Sequence, residues 1–261
     1  MKEMPSFIKW ILRILIFLIL VVIALKVTDN GHILNAFRST YLIGRIGPDI
    51  DNHKFFTQRI IANGQKLPWK KATEYNSHSL TAEDSAYFKE FETVSYLVVQ
   101  KGEILYEYYD EGYSDTSLVN SFSMAKSIVS MLVGIAIDEG KIKSVMDKAS
   151  DYLTELKGTD KEEVTIEQLL QMTSGIGFDE SYGNPFGFMS QAYYGDDLYN
   201  RTLAFAQNHE PGTTWEYLGG NTLMLSFIVE KATRMTLSEY MSKKLWRPIG
   251  AGEPAQWTYE E

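Results

Sequence analysis

The sequence contains no cysteine. That absence excludes disulfides, thiol catalysis, thiolate-bound zinc and a lipid-modified cysteine as an anchor. Histidine is scarce as well: His32, His53, His78 and His209 lie far apart and in no metal-ligand spacing, so no metal site is expected. Positive charge is outnumbered, with 25 Lys and Arg against 34 Asp and Glu, a formal net charge of −9. An acidic chain of this kind argues against nucleic acid as a partner. No internal repeat or low-complexity tract stands out. The 261 residues are enough for one sizeable core with appendages.

What is present begins with grease. Residues 7–25 are apolar except for Lys9 and Arg13, and residues 14–25 are unbroken. As a helix this stretch reaches roughly 28 Å, close to the thickness of a bilayer core. Lys9 and Arg13 can snorkel toward one headgroup layer. Basic residues (Lys2, Lys9, Arg13) precede the run, which keeps the N-terminus cytoplasmic and exports the remainder. A cleaved signal peptide is the competing reading. No A-x-A-like site follows, because the segment runs into Ala24-Leu25-Lys26-Val27. The expectation is an uncleaved, single-pass anchor over residues 1–26, with the rest on the periplasmic or extracellular side.

The second informative stretch is Asn120-Ser121-Phe122-Ser123-Met124-Ala125-Lys126, which opens a run in which ten of the fourteen residues 124–137 are apolar. Apolar residues on nearly every face predict a buried helix. Residues three apart share a helix face, so Lys126 should lie beside the Ser123 hydroxyl. A serine needs a neighbouring base to act as a nucleophile. A lysine enclosed by apolar residues is disfavoured as an ammonium and can serve as that base. Ser-x-x-Lys is a short pattern that ordinary composition also produces by chance. A second copy, Ser6 to Lys9, falls at the edge of the N-terminal apolar run, where the lysine reads as a flanking charge.

Around these stretches the chain divides coarsely. Residues 27–80 read as an irregular lead-in punctuated by glycine and proline, and residues 81–261 as the main domain. Thr81 opens a helix over 82–92, and residues 94–100 and 104–109 form a hairpin across Lys101-Gly102-Glu103. The Ser123 helix stops near Glu139-Gly140. Residues 143–158 are polar with weak helical character. Thr165-Ile166-Glu167-Gln168 is a capping box, and Thr236-Leu237-Ser238-Glu239 caps another helix. Residues 175–197 carry no period and read as a long functional loop, with helices over 198–207 and 221–234.

In Glu210-Pro211-Gly212-Thr213-Thr214-Trp215-Glu216-Tyr217-Leu218-Gly219-Gly220-Asn221, a turn leads to an extended piece, two glycines and a helix. Little backbone bulk surrounds Tyr217, so its phenol can project into a cleft. A phenol near a lysine can pass a proton to a leaving group. On spacing alone, a core tyrosine satisfied locally would look the same.

Taken together, Ser123-Met124-Ala125-Lys126 and Pro211-Gly212-Thr213 through Trp215-Glu216-Tyr217 resemble the penicillin-recognising serine hydrolases, within them the class C β-lactamase-like branch. Tyr217-Leu218-Gly219-Gly220-Asn221-Thr222, Met172-Thr173-Ser174-Gly175-Ile176 and Asp179-Glu180-Ser181-Tyr182-Gly183-Asn184-Pro185 resemble its 6-aminohexanoate-dimer hydrolase-like members. The resemblance runs from about residue 36 to the end. It implies an α+β, β-lactamase/transpeptidase-like fold: an antiparallel sheet flanked by helices, plus a mainly helical region, with the site between them. It implies an acyl-enzyme on Ser123, Lys126 as base, Tyr217 assisting proton transfer, and Tyr182 and Asn221 facing substrate. The substrate would be a small amide or ester, and no metal or organic cofactor is needed.

Three departures accompany it. Class C members carry Tyr-x-Asn, whereas the third position here is Gly219, which weighs against β-lactamase activity. A literal Tyr-x-Asn occurs at Tyr182-Gly183-Asn184, but with no helix behind it, so Tyr217 is the preferred phenol. The family's Lys-Thr-Gly or His-x-Gly strand does not occur in this sequence, so the expectation is a C-terminally incomplete chain whose hairpin lacks sheet neighbours. Two other readings stay open: a penicillin-binding peptidase or β-lactamase, and a non-catalytic, membrane-tethered binding domain that keeps the fold.

Overall fold

The computed structural model describes residues 5–259. In chain order its elements are α1 (Ser6–Val27), α2 (His32–Ser39), β1 (Gln58–Ile61), β2 (Lys70–Lys71), α3 (Ala82–Glu90), β3 (Ser95–Gln100) and β4 (Glu103–Tyr109). These are followed by α4 (Met124–Asp138), α5 (Ile166–Leu170), α6 (Phe188–Tyr194), α7 (Leu198–Leu203), α8 (Gly219–Thr233), α9 (Leu237–Met241) and β5 (Ala255–Thr258).

Three helices start where side-chain chemistry dictates. Thr81, Thr165 and Thr236 each accept from the backbone N–H three residues on, while Asp84, Gln168 and Glu239 reach back to the threonine N–H. Each box satisfies two N–H groups that a helix start otherwise leaves unpaired. The hairpin β3–β4 turns on two residues, Lys101 and Gly102, both at positive φ (52° and 80°). That is the backbone whose twist suits a two-residue connection between antiparallel strands.

The core forms where α4 crosses α8. Val129, Leu132, Val133 and Ala136 of α4 meet a cluster that includes Met224, Leu225, Ile228 and Val229 of α8. Leu169, Leu153 and Ile142 extend this cluster on one side, and Leu237, Tyr240 and Met241 on another. Glu139, just past α4, receives the Tyr240 hydroxyl at 3.1 Å and pairs with Lys244, tying the end of α4 to the segment after α9. The Lys244 contact holds the Glu139 carboxyl below its usual range.

Several expectations need correction. The α4 helix is not enclosed all round: Met124 (73%) and Met131 (44%) are exposed, as are Ser127, Ser130 and Gly134. An apolar count gave no sidedness, because methionine and small residues tolerate either environment. Residues 27–80 are not simply irregular. They contribute α2 and two strands, and β1 pairs antiparallel with β5 from Gln58↔Thr258 to Ile61↔Ala255. Ile61 belongs to the core, and Ser242 donates to the Ala62 carbonyl at 2.7 Å. The hairpin has a neighbour too, since β2 lies parallel to β4. Residues 175–197 are not all loop, because α6 forms within them. The helix expected over 198–207 stops at Leu203, so that Phe205 can pack edge-on against Phe178 and Phe188.

One-sided burial of α4 is measurable. Leu132→Ala should cost about 2–5 kcal/mol, as for a buried leucine with no room to collapse, whereas Met131→Ala should stay within about 0.5 kcal/mol. Urea unfolding of the two variants checks this; equal losses would contradict the arrangement.

Candidate active site

The approach to α4 is held from outside it. The Asn120 N–H donates to Ile50 O at 2.8 Å, and its side-chain amide donates to Asp49 O (2.7 Å) and to buried Asn52 (2.8 Å). The chain then passes through Phe122 at φ 45°, a left-handed conformation unusual for a bulky residue. Strain of this kind persists only where its surroundings enforce it. Ser123 follows at the N-cap of α4 with helical backbone angles (φ −64°, ψ −13°) and makes no capping hydrogen bond. A serine there ordinarily turns its hydroxyl onto the helix N–H groups. Here the Lys126 Nζ donates to Ser123 Oγ at 3.3 Å instead.

Tyr217 comes from the other side. Its segment is fixed by Glu216 N–H to Met172 O (3.0 Å) and Gly212 N–H to Thr173 O (2.7 Å). Leu218 is extended, and α8 starts at Gly219. The Lys126 ammonium lies 5.0 Å from the centre of the Tyr217 ring, within the range of a cation–π contact. Ser123, Lys126 and Tyr217 are therefore brought together by the α4–α8 packing. Lys126 is only half-buried, and Tyr217 is 46% exposed, so the apolar enclosure expected around the lysine is not present.

Tyr182 joins this group through a residue that sequence reasoning passed over. Glu180 accepts the Tyr182 hydroxyl at 2.8 Å with one carboxylate oxygen and the Gly219 N–H at 2.7 Å with the other. It thereby links the loop carrying Tyr182 to the turn that presents Tyr217. Partial burial and the Glu180 hydrogen bond push the Tyr182 phenol well above its ordinary value. The neutral phenol is the donor, so this contact stabilises the fold below the free tyrosine value of about 10 and loses that contribution as pH rises above it. Glu180 lay within the Asp179–Pro185 motif of the sequence, two residues before Tyr182, but nothing in that motif assigned it a role. Asp179 beside it is used structurally, accepting from Ser181 N–H at 2.9 Å and Phe188 N–H at 3.3 Å.

The geometry also accounts for Gly219 and Asn221. A Cβ at 219 would lie 3.3 Å from Glu180 Oε2 and 3.7 Å from Lys126 Nζ, so the Glu180 carboxylate stands beside the lysine where a side chain from 219 would point. Asn221, expected to face substrate, is 1% exposed, and its amide donates to Leu218 O at 3.2 Å. Because the helix begins two residues earlier than expected, position 221 turns inward and closes the helix start. Of the five candidate residues, four converge and Asn221 does not. Among the described residues, no cluster of His, Asp and Glu could hold a metal.

The sequence model of the family described as Beta-lactamase matches residues 85–260. Among curated proteins, the 6-aminohexanoate-dimer hydrolase of Paenarthrobacter ureafaciens is 27% identical over 186 residues, covering 65% of this chain and 45% of that protein. Protein flp of Staphylococcus aureus is 25% identical over 173 residues, covering 59% of this chain and 33% of its own. The chain thus spans less than half the length of these relatives. A provisionally assigned 6-aminohexanoate-dimer hydrolase of Bacillus anthracis superposes with a TM-score of 0.65 at 19% identity, over 81% of this chain and 61% of its own. A provisionally assigned beta-lactamase of Bacteroides dorei gives a TM-score of 0.54 at 19% identity, over 64% and 50% of the two chains. The family resemblance and the fold class expected from the motifs are borne out.

The helix start beside this site is tightly packed. A Cβ at Gly220 would fall 2.2 Å from the Phe178 ring, whereas one at Gly219 meets only carboxylate and ammonium ends. Gly220→Ala should therefore destabilise the protein by about 1–3 kcal/mol, and Gly219→Ala by clearly less. Chemical denaturation of both variants tests the order, and a reversed order would contradict it.

Proposed function

The chain belongs to the beta-lactamase family, and from that premise we propose that it is a serine hydrolase of amide or ester bonds. The observation that carries this reading is the 3.3 Å approach of Lys126 Nζ to Ser123 Oγ, with the Tyr217 ring on the same ammonium. In its neutral form Lys126 takes the hydroxyl proton as Ser123 Oγ attacks the substrate carbonyl carbon. Negative charge then develops on the carbonyl oxygen, and the backbone N–H of Ser123 is the donor that would receive it, since the N–H groups of Met124, Ala125 and Lys126 are already bonded to the carbonyls of Ser121, Phe122 and Ser123. Collapse of the tetrahedral intermediate breaks the bond to the leaving amine or alcohol. The proton held by Lys126 passes to that group with the Tyr217 phenol assisting. Water attacks the acyl-enzyme by the same route in reverse, releasing the acid and restoring Ser123.

The relative from Paenarthrobacter ureafaciens is named for hydrolysing a 6-aminohexanoate dimer, an amide, which supports an amide or ester over other hydrolysable bonds. Tyr182, 65% exposed on its loop, is the candidate substrate contact. The α1 helix supports the membrane part of the reading. Its 22 residues extend about 33 Å, enough to cross a bilayer core, and none of them is buried in the protein. It would be an uncleaved span, with the domain exported on its C-terminal side.

Two substitutions test the chemistry on the membrane-reconstituted protein. Ser123→Ala should abolish hydrolysis of p-nitrophenyl acetate above background. Lys126→Arg should lower acylation by at least about 100-fold, the scale for losing a positioned general base, because arginine keeps its proton at any working pH. Near-normal acylation in the arginine variant would make Lys126 an electrostatic or structural residue rather than a base.

A further inference from the structure

The link between α1 and the domain has no slack. Only Thr28, Asp29, Asn30 and Gly31 separate α1 from α2, and they are hydrogen-bonded into both helix ends. Thr28 N–H reaches Ala24 O (3.0 Å), Asn30 N–H reaches Leu25 O (2.8 Å), and Ile33 N–H reaches Asn30 O (3.1 Å). The domain grips the same corner. Arg201 pairs with Asp29 at 2.7 Å, His32 Nε2 meets Pro185 O at 2.9 Å, and Asn35 donates to Tyr194 O at 2.8 Å. Even fully extended, four residues span at most roughly 14 Å. Whatever α2 and the turn after it expose must therefore lie close to the bilayer from which α1 emerges.

What they expose is apolar. One side of α2 is covered by α6, with His32 and Ser39 buried. Away from it stand Phe37 (51% exposed), Tyr41 (60%), Leu42 (66%) and Ile46 (90%), with the Phe37 and Tyr41 rings 5.8 Å apart. Charge points the same way. In a chain of net charge −9, residues 30–48 contain no Asp or Glu; of their two formally charged side chains, Arg45 pairs with Asp49, which leaves Arg38 as the basic group of the stretch. Aromatic and aliphatic tips with a basic flank suit the boundary between headgroups and acyl chains.

Resting on the reading of α1 as a span, we propose that residues 37–46 form a second, interfacial membrane contact, whose partner is a lipid bilayer surface containing anionic headgroups. This contact fixes the domain's tilt as well as its height. Because α2 also holds Pro185 and α6, the loop that carries Tyr182 rides on the membrane-bound element.

The absence of cysteine provides the test. Single replacements Ile46→Cys, Leu18→Cys and Met146→Cys carry an environment-sensitive fluorophore, with the whole chain reconstituted in phosphatidylcholine–phosphatidylglycerol vesicles. Nitroxides near the headgroups should quench the Ile46 label strongly, nitroxides at the bilayer centre should quench the Leu18 label, and aqueous iodide should quench the Met146 label. If the Leu18 label is quenched from the bilayer centre while the Ile46 label responds only to iodide, α1 spans and the interfacial contact is wrong. An Ile46 label reached by neither quencher is covered by protein, which also overturns the proposal. Ile46 quenching by lipid without Leu18 quenching would keep the surface contact and remove the span.

Discussion

The structure depends on one packing contact, the crossing of α4 and α8. Val129, Leu132, Val133 and Ala136 are at most 2% exposed, as are Met224, Ile228 and Val229 opposite them. At roughly 25 cal/mol per Å² of apolar surface, each of these side chains larger than Ala136 contributes about 1.5–3 kcal/mol on burial, so this contact is a large part of the domain's stability. Its functional consequence lies at the helix starts. Both helices begin at the same end of the contact, one behind Ser123 and the other behind Tyr217. The core therefore sets how far the hydroxyl, the amine and the phenol stand from one another.

Around that contact, local devices keep the helix starts in place. The left-handed Phe122, the Asn120 hydrogen bonds to residues 49–52 and the close approach of Gly220 to Phe178 restrict how the two helices begin. Glu180 adds a link across them, since its carboxylate engages both the Gly219 N–H and the Tyr182 hydroxyl. A charged acceptor shared by two donors is stronger than neutral pairs and holds the loop to the turn.

Much of this was legible in the sequence where the cause is local. The three threonine-capped helix starts and the hairpin turn depend on residues a few positions apart; the helix starts form as expected, and the hairpin forms where expected but turns on Lys101-Gly102 alone, with Glu103 opening β4. Ser123 and Lys126 meet because a helix places residues three apart on one face. What escaped the sequence depends on partners distant along the chain. The strand Gln58–Ile61 is defined by β5, almost two hundred residues later. The α6 helix forms where α2 covers it, inside a stretch rich in loop-forming residues. The open side of α4 was hidden because methionine counts as apolar whether buried or exposed. Glu180 acts through its geometry with Gly219, 39 residues on, which no spacing rule reports.

The most direct test of the central claim, that the α4–α8 contact builds a nucleophile at the start of α4, is chemical. The membrane-reconstituted protein would be treated with a fluorophosphonate and the modified residue mapped by peptide mass spectrometry. The account predicts one stoichiometric adduct, on Ser123, with Ser121 and Ser127 on either side unmodified. An adduct on any other serine, or none on a protein that nevertheless hydrolyses esters, would contradict it.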